Sequence, residues 1–356
     1  MPGARPLRSN NRALLVRVAA FLLVALLATG LWLGLGGAGS VYACGSDTPG
    51  ETREAGTSST PPDDFRAFSK DSYWNTPLPD DAPVDDLSDE WIRYLTQDAT
   101  TNFIEIAGAD GDGRWGHPIY FSRDGDPACN VVNSCEYRRP EEFGSVRIPE
   151  GASQDPTSDA AMTVYDVDKG IVYGFYQARY SSSDDEWSAC GGTVYYLDSN
   201  GLDGTLRESD DERNFGHRGV PPPTYAVRYD EIKSGLIDHV LKIAVDTAHE
   251  EFAWPMTGSD GDTRAPFAPL EGARIRLKPD IDLDTFDLTQ AERTIATALQ
   301  RYGAVIGDQS GSTTVLKVEN TVVEGRGQLW DGILHPDSLD MFLLEDFEFV
   351  RLGYGS

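Results

Sequence analysis

The stretch at residues 228–246, RYDEIKSGLIDHVLKIAVD, changes period part-way, and that change limits what can be built around it. Residues 229–234 read as one short helical turn closed by Gly235, a residue suited to the left-handed position after a helix. Beyond it, Ile237, His239, Leu241, Ile243 and Val245 alternate with Asp238, Val240, Lys242, Ala244 and Asp246. A two-residue repeat belongs to a strand with one buried face. His239 falls in the apolar set, so its imidazole must find a partner in the core or open onto a cavity.

The N-terminus places this strand in a compartment. Arg5, Arg8, Arg12 and Arg17 precede an uncharged run of 18 residues at 18–35, VAAFLLVALLATGLWLGL. Basic, then apolar, then small residues is the order of an export signal. The run is also just long enough to span a bilayer. Val41-Tyr42-Ala43-Cys44 resembles a bacterial lipobox, which makes Cys44 the expected lipid attachment site. Ordinary signal-peptidase cleavage and an uncleaved anchor are the alternatives, and all three put the body outside the cytoplasm. The chain thus divides into an export signal or anchor at 1–43, a polar tether rich in Ser, Thr, Pro and Gly at 44–64, and one body at 65–356.

Charge excludes some partners. Formal net charge is −28, and removal of the four leader arginines takes it to −32. Such a field repels phosphates and anionic headgroups, so no nucleic acid is expected, and the membrane is reached only through the N-terminus. Of the four cysteines, Cys129 and Cys135 lie in CNVVNSC, a spacing that a turn could close as a disulfide. Cys190 is then left over, or displaces one of that pair. No CxxC or HExxH pattern is present, so no zinc site is expected. Asp-Gly-Asp occurs at 110–112, 124–126 and 260–262, where calcium is conceivable, although none continues into a full calcium loop and Asp-Gly is also plain turn chemistry. No other cofactor is expected.

Most of the body reads as short strands: 102–107, 117–121, 162–168, 171–180, 193–197, 272–278, 304–308 and 347–352, with 313–318 as the expected hairpin partner of 304–308. One helix at 289–302 is strongly marked, with Thr289 and Glu292 as a capping box and Gly303 as its stop. Shorter helices are expected near 85–97, with Ser88 as N-cap, and near 339–344. This pattern predicts a mainly β protein, a single β-sandwich or jelly-roll-like domain with a few short helices.

Several pieces resemble an exported protein family of actinobacteria: SYWNTPLPDDAP, WGHPIYF, SDAAMTVYD, IDHVL, EGARIRL and LQRYGAVIGDQSG, spread over residues 68–318. In that family the third piece resembles Asp-Gly-His-Met, whereas this chain has Ala160 and Ala161 in the Gly-His places. The resemblance implies one continuous exported domain and no particular reaction.

Export, a tether and sheet aromatics suggest a carbohydrate-active protein working on a neutral or weakly charged glycan. A glycoside hydrolase needs two carboxyl groups at a sugar, and Asp159 and Asp308 stand beside apolar strands outside acid runs. A polysaccharide lyase would use His117 or His239 as base with Arg218 neutralising a carboxylate. Trp115, Tyr176 and Arg218 are the expected substrate-binding residues. The alternative is a non-catalytic surface module that binds a glycan or a partner protein. Nothing in the sequence speaks to oligomeric state.

Overall fold

The computed structural model describes residues 44–45, 60–63, 65–97, 100–204 and 211–355; the leader at 1–43 and most of the tether lie outside them. Among the longer elements of the first half are helix α1 (Ser88–Thr96), strand β1 (Glu105–Ala107), β2 (Ile119–Ser122), β3 (Met162–Asp166), β4 (Ile171–Tyr176) and β5 (Gly191–Tyr196). These last four form one sheet in the order β5-β4-β3-β2, antiparallel except for the parallel pair β2/β3. The second half supplies α2 (Tyr229–Ser234), β6 (Leu241–Val245), β7 (Arg274–Leu277), α3 (Gln290–Arg301), β8 (Ala304–Gln309), β9 (Val315–Lys317) and β10 (Phe347–Val350). With β1 these strands make a six-stranded mixed sheet ordered β10-β7-β8-β6-β9-β1.

Period two sorts each strand between two layers. Leu241, Ile243 and Val245 of β6 and Ala304 and Ile306 of β8 point to a core shared with Trp91, Ile295 and Leu299 of α1 and α3. On the opposite face Val305 meets Ile119, Phe121, Tyr165, Val172 and Tyr195 of the four-stranded sheet, with Phe68, Tyr73 and Trp74 closing the cluster. The outer face of that second sheet buries Tyr120, Val164, Tyr173 and Phe175 against Val131, Phe143, Val146 and Trp187. Each fully buried side chain of this kind is worth about 1.5–3 kcal/mol, so three apolar layers hold the two sheets in place.

The mainly β expectation with two facing sheets holds, and α2 and α3 fall where the sequence puts them. Gly235 and Gly303 take the left-handed stops with φ 74° and 66°. The strand directions differ from a jelly roll, whose ladders are antiparallel, because β2/β3, β6/β8 and β9/β1 run parallel. Three local expectations are corrected. β9 pairs with β6 and β1 instead of forming a hairpin with β8, since β6 lies between them. Ser88 sits inside the first turn of α1, where its hydroxyl accepts from Phe349 N at 2.9 Å. Residues 339–341 are turn and Leu343 bridges Phe103, with only a short 3-10 turn at Leu344–Asp346.

The Cys129–Cys135 disulfide is also corrected. Cys129 pairs with Cys44 and Cys135 with Cys190. Residues 131–133 form an extended strand against Glu186–Ala189, and three extended residues alone carry the chain about 10 Å, beyond disulfide reach. The same ladder carries Cys135 to Cys190. The sulfur of Cys44 pairs with that of Cys129, an arrangement that a lipid thioether on the same atom would exclude. Two disulfides are compatible with an oxidising, extracellular setting. Among the described residues no helix is long and apolar enough to cross a membrane.

Candidate functional site

The face of the six-stranded sheet that turns away from α3 is studded with charge. Lys242 of β6 and Arg274 and Arg276 of β7 alternate with the apolar residues just described and are buried. Asp308 joins Lys242 because of a register shift: Ile243 pairs with Ile306, but Ala244 pairs with Asp308, skipping Gly307. A bulge of this kind re-aims a side chain at the end of a strand. Asp308 Oδ2 accepts from Lys242 Nζ at 2.8 Å, and Oδ1 accepts from Arg218 Nη2 at 3.2 Å.

Arg218 stands at the centre of the cluster. It lies in the turn His217–Gly219 with φ 55°, a left-handed conformation that costs a non-glycine residue about 1–3 kcal/mol and tends to mark functional positions. Flanking glycines make the turn possible. A Cβ at Gly219 would sit 2.6 Å from Pro255 O, and one at Gly216 would sit 2.7 Å from Gly192 O. Thr257 N donates to Arg218 O at 2.6 Å and fixes the turn. The guanidinium then meets three carboxylates: Asp308, buried Glu271 through Nε at 3.2 Å, and Asp260 through Nη2 at 3.3 Å.

Those carboxylates are not equivalent. Burial, a hydrogen bond to Glu271 and the charge of Asp308 push the Asp260 carboxyl up to about 8, against the pull of Arg218. Its side chain is still 40 % exposed, while those of Arg218 and Asp308 are 25 % exposed. The raised Asp260 carboxyl therefore reaches solvent beside Asp308, which pairs with two cations. Burial pulls the Lys242 ammonium down, and Asp308 opposes that pull.

The cluster continues inward through Tyr225, whose ring lies 5.0 Å from Lys242 Nζ and packs edge-on against His117 at 5.3 Å. His117 is buried, with Nε2 2.7 Å from Thr163 Oγ1. Burial first, then Lys317 and Lys242, push its pKa well below the ordinary histidine value, so the ring is neutral. Asp159 lies 3.7 Å from Lys317, and its backbone carbonyl accepts from Gln177 N at 2.7 Å, next to Tyr176. Trp115 and Tyr176 are each 45 % exposed.

The structure therefore joins Arg218 directly to Asp308, with His117 behind them and Asp159 reached through Lys317. His239 belongs elsewhere. Its Nδ1 lies 2.8 Å from Val240 O and its Nε2 2.8 Å from Glu231 Oε1, beneath Phe65, Phe68 and Trp74. Among the Asp-Gly-Asp turns, Asp112 and Asp126 accept from Arg114 N and Arg123 N, and Asp260 belongs to the arginine cluster. Among the described residues no group of three or more His, Cys, Asp or Glu is arranged to hold a metal ion.

Sequence reading missed Asp260 and Glu271 as partners of Arg218, and Lys242 as the second partner of Asp308. Asp260 was hidden inside a turn motif, and Lys242 looked like the solvent side of a strand. The available signal was His217-Arg218 between glycines, which marked the place where backbone approaches closely. Comparison with protein-family models, with curated proteins and with solved structures found no match.

Proposed function

We propose that the protein is an exported enzyme that hydrolyses glycosidic bonds, with Asp260 as general acid and Asp308 as its ionised partner. One observation carries this reading: Asp260, partly open to solvent and with its carboxyl raised by burial, Glu271 and Asp308, shares Arg218 Nη2 with Asp308, whose other oxygen is held by Lys242. Two carboxyl groups whose surroundings push their pKa values apart supply the acid and the base or nucleophile that glycoside hydrolysis requires. Both bind one nitrogen, so they lie no farther apart than the roughly 5–9 Å that glycosidase carboxyl pairs span. Phe252 is exposed on the strand His249–Phe252 that pairs with Glu271, and offers a ring face near the cluster on which a sugar can stack. The net charge of −28 favours a neutral or weakly charged glycan. Export with cleavage ahead of Cys44 fits the disulfide at that residue.

A second reading, a glycan-binding surface without catalysis, draws on the exposed Trp115 and Tyr176. The test is a panel of neutral and acidic glycans incubated with the purified exported chain, read by released reducing ends. Asp260→Asn and Asp308→Asn should each lower turnover about 10²-fold or more while binding persists. Glycan binding with no turnover by the unaltered chain would leave only the second reading. Turnover unaffected by Asp260→Asn would refute the assignment of the acid.

A further inference from the structure

Two arginines project from the same face of β7 with different surroundings. Arg276 is 2 % exposed and has its own carboxylate, Glu348, at 2.7 Å, plus the carbonyls of Pro79 and Asp80. Arg274 is 6 % exposed and has no carboxylate against it among the described residues. It donates from Nε to Tyr302 O at 2.7 Å and from Nη2 to Thr76 O at 3.3 Å, and its guanidinium lies 5.0 Å over the Tyr73 ring. Burial pulls its pKa down against the opposing charge and hydrogen bond of Tyr73. In a chain of net charge −28, a buried cation without a carboxylate partner stands out.

A cleft opens onto this arginine. It is lined by Tyr73, Trp254, Gly272, Arg274, Arg351 and Tyr354 among others, and its closed part is no larger than one water. Trp254 packs edge-on against Tyr73 at 4.7 Å. Exposed Arg351 adds a second positive charge at the rim. That recess admits one carboxylate oxygen beside two guanidinium groups, and the ring faces at its open side suit a flat or ring-shaped body lying outside it.

We propose that this cleft binds the carboxylate of a small organic acid or an acidic sugar, with Arg274 taking the charge and Trp254 and Tyr354 flanking the body of the ligand. The site is separate from the Asp260–Asp308 pair and does not depend on its role. Calorimetric titration of the whole exported chain with glucuronate, benzoate, acetate and glucose, at constant ionic strength, tests it. Saturable binding of the carboxylates and none of glucose is expected. Tighter binding of glucuronate than of benzoate would assign the site to acidic sugars, and the reverse to aromatic acids. Arg274→Met should weaken carboxylate binding at least tenfold. Arg351→Ala and Tyr354→Ala, which remove no buried protein hydrogen bond, should weaken it several-fold even if Arg274→Met fails to fold. No carboxylate binding, or binding unchanged in Arg351→Ala and Tyr354→Ala, overturns the proposal.

Discussion

Arg218 and Asp308 come from segments 90 residues apart and meet through Nη2 and Oδ1 at 3.2 Å, while the second oxygen of Asp308 takes Lys242 Nζ at 2.8 Å. Asp308 is the anion that buried Lys242 and half-buried Arg218 share, so its removal and that of Lys242 are not equivalent. Asp308→Ala leaves Lys242 without this carboxylate and should cost about 3 kcal/mol, the low end for a broken buried pair because Asp308 is a quarter exposed. Lys242→Met should cost less, since Asp308 keeps Arg218. Urea unfolding of both variants checks the order. Equal losses would mean that Asp308 is not shared.

The pH dependence follows from Asp260, whose folded-state pKa is raised from 3.8 to about 8. A raised carboxyl favours the folded state while it holds its proton. That contribution is fully present below about pH 4 and is lost as pH rises through about 8. Asp260→Asn keeps a neutral side chain at every pH, so its stability should fall less than that of the unaltered chain between pH 4 and 8. Turnover should decline above about pH 8 as the acid loses its proton. Thermal melts and rates across pH 4–9 measure both, and parallel melt curves would remove Asp260 from the account.

The elements legible in the sequence were those set by local chemistry. The Thr289/Glu292 box and Gly303 delimit α3, and Gly235 ends α2, because caps and left-handed stops act within a few residues. The start of β6 was not legible. The alternation begins at Ile237, yet the strand begins at Leu241, since Val240 N donates to Trp74 O at 2.7 Å instead of to a neighbouring strand. A bond to a segment more than 160 residues away leaves no periodic trace. The site was half legible for the same reason. Arg218 and Asp308 stood out from their neighbours, but the bulge that re-aims Asp308 and the loop that brings Asp260 to Arg218 are tertiary facts.

His239 separates fold from function. It bridges Val240 O and Glu231 Oε1, and Glu231 also pairs with Arg228 at 2.9 Å. Burial alone would raise the Glu231 carboxyl, but Arg228 and His239 outweigh it and hold it below its ordinary value. His239→Gln should leave a buried polar group poorly matched and cost about 1–3 kcal/mol. Glycan turnover at low temperature should be unchanged, because none of these atoms reaches the Arg218 cluster. A stable His239→Gln variant that has lost turnover would place the histidine back in the site.

The two fates of Cys44 are mutually exclusive, which makes them easy to tell apart. One sulfur cannot carry a lipid thioether and also bond to Cys129, 85 residues along the chain. All four cysteines are paired, with none free among the described residues. The exported chain, denatured without reductant, should therefore take up no alkylating reagent, and after reduction it should take up four. Its intact mass should contain no acyl groups. Labelled fatty acid on Cys44, with Cys129 alkylated before reduction, would restore the lipoprotein and remove the first disulfide. The second bond closes a 55-residue separation, so Cys135→Ser with Cys190→Ser should lower stability by about 2–4 kcal/mol. That loss falls on the ladder between residues 131–133 and Glu186–Ala189, which the Arg218 cluster does not touch. Turnover below the lowered melting temperature should persist.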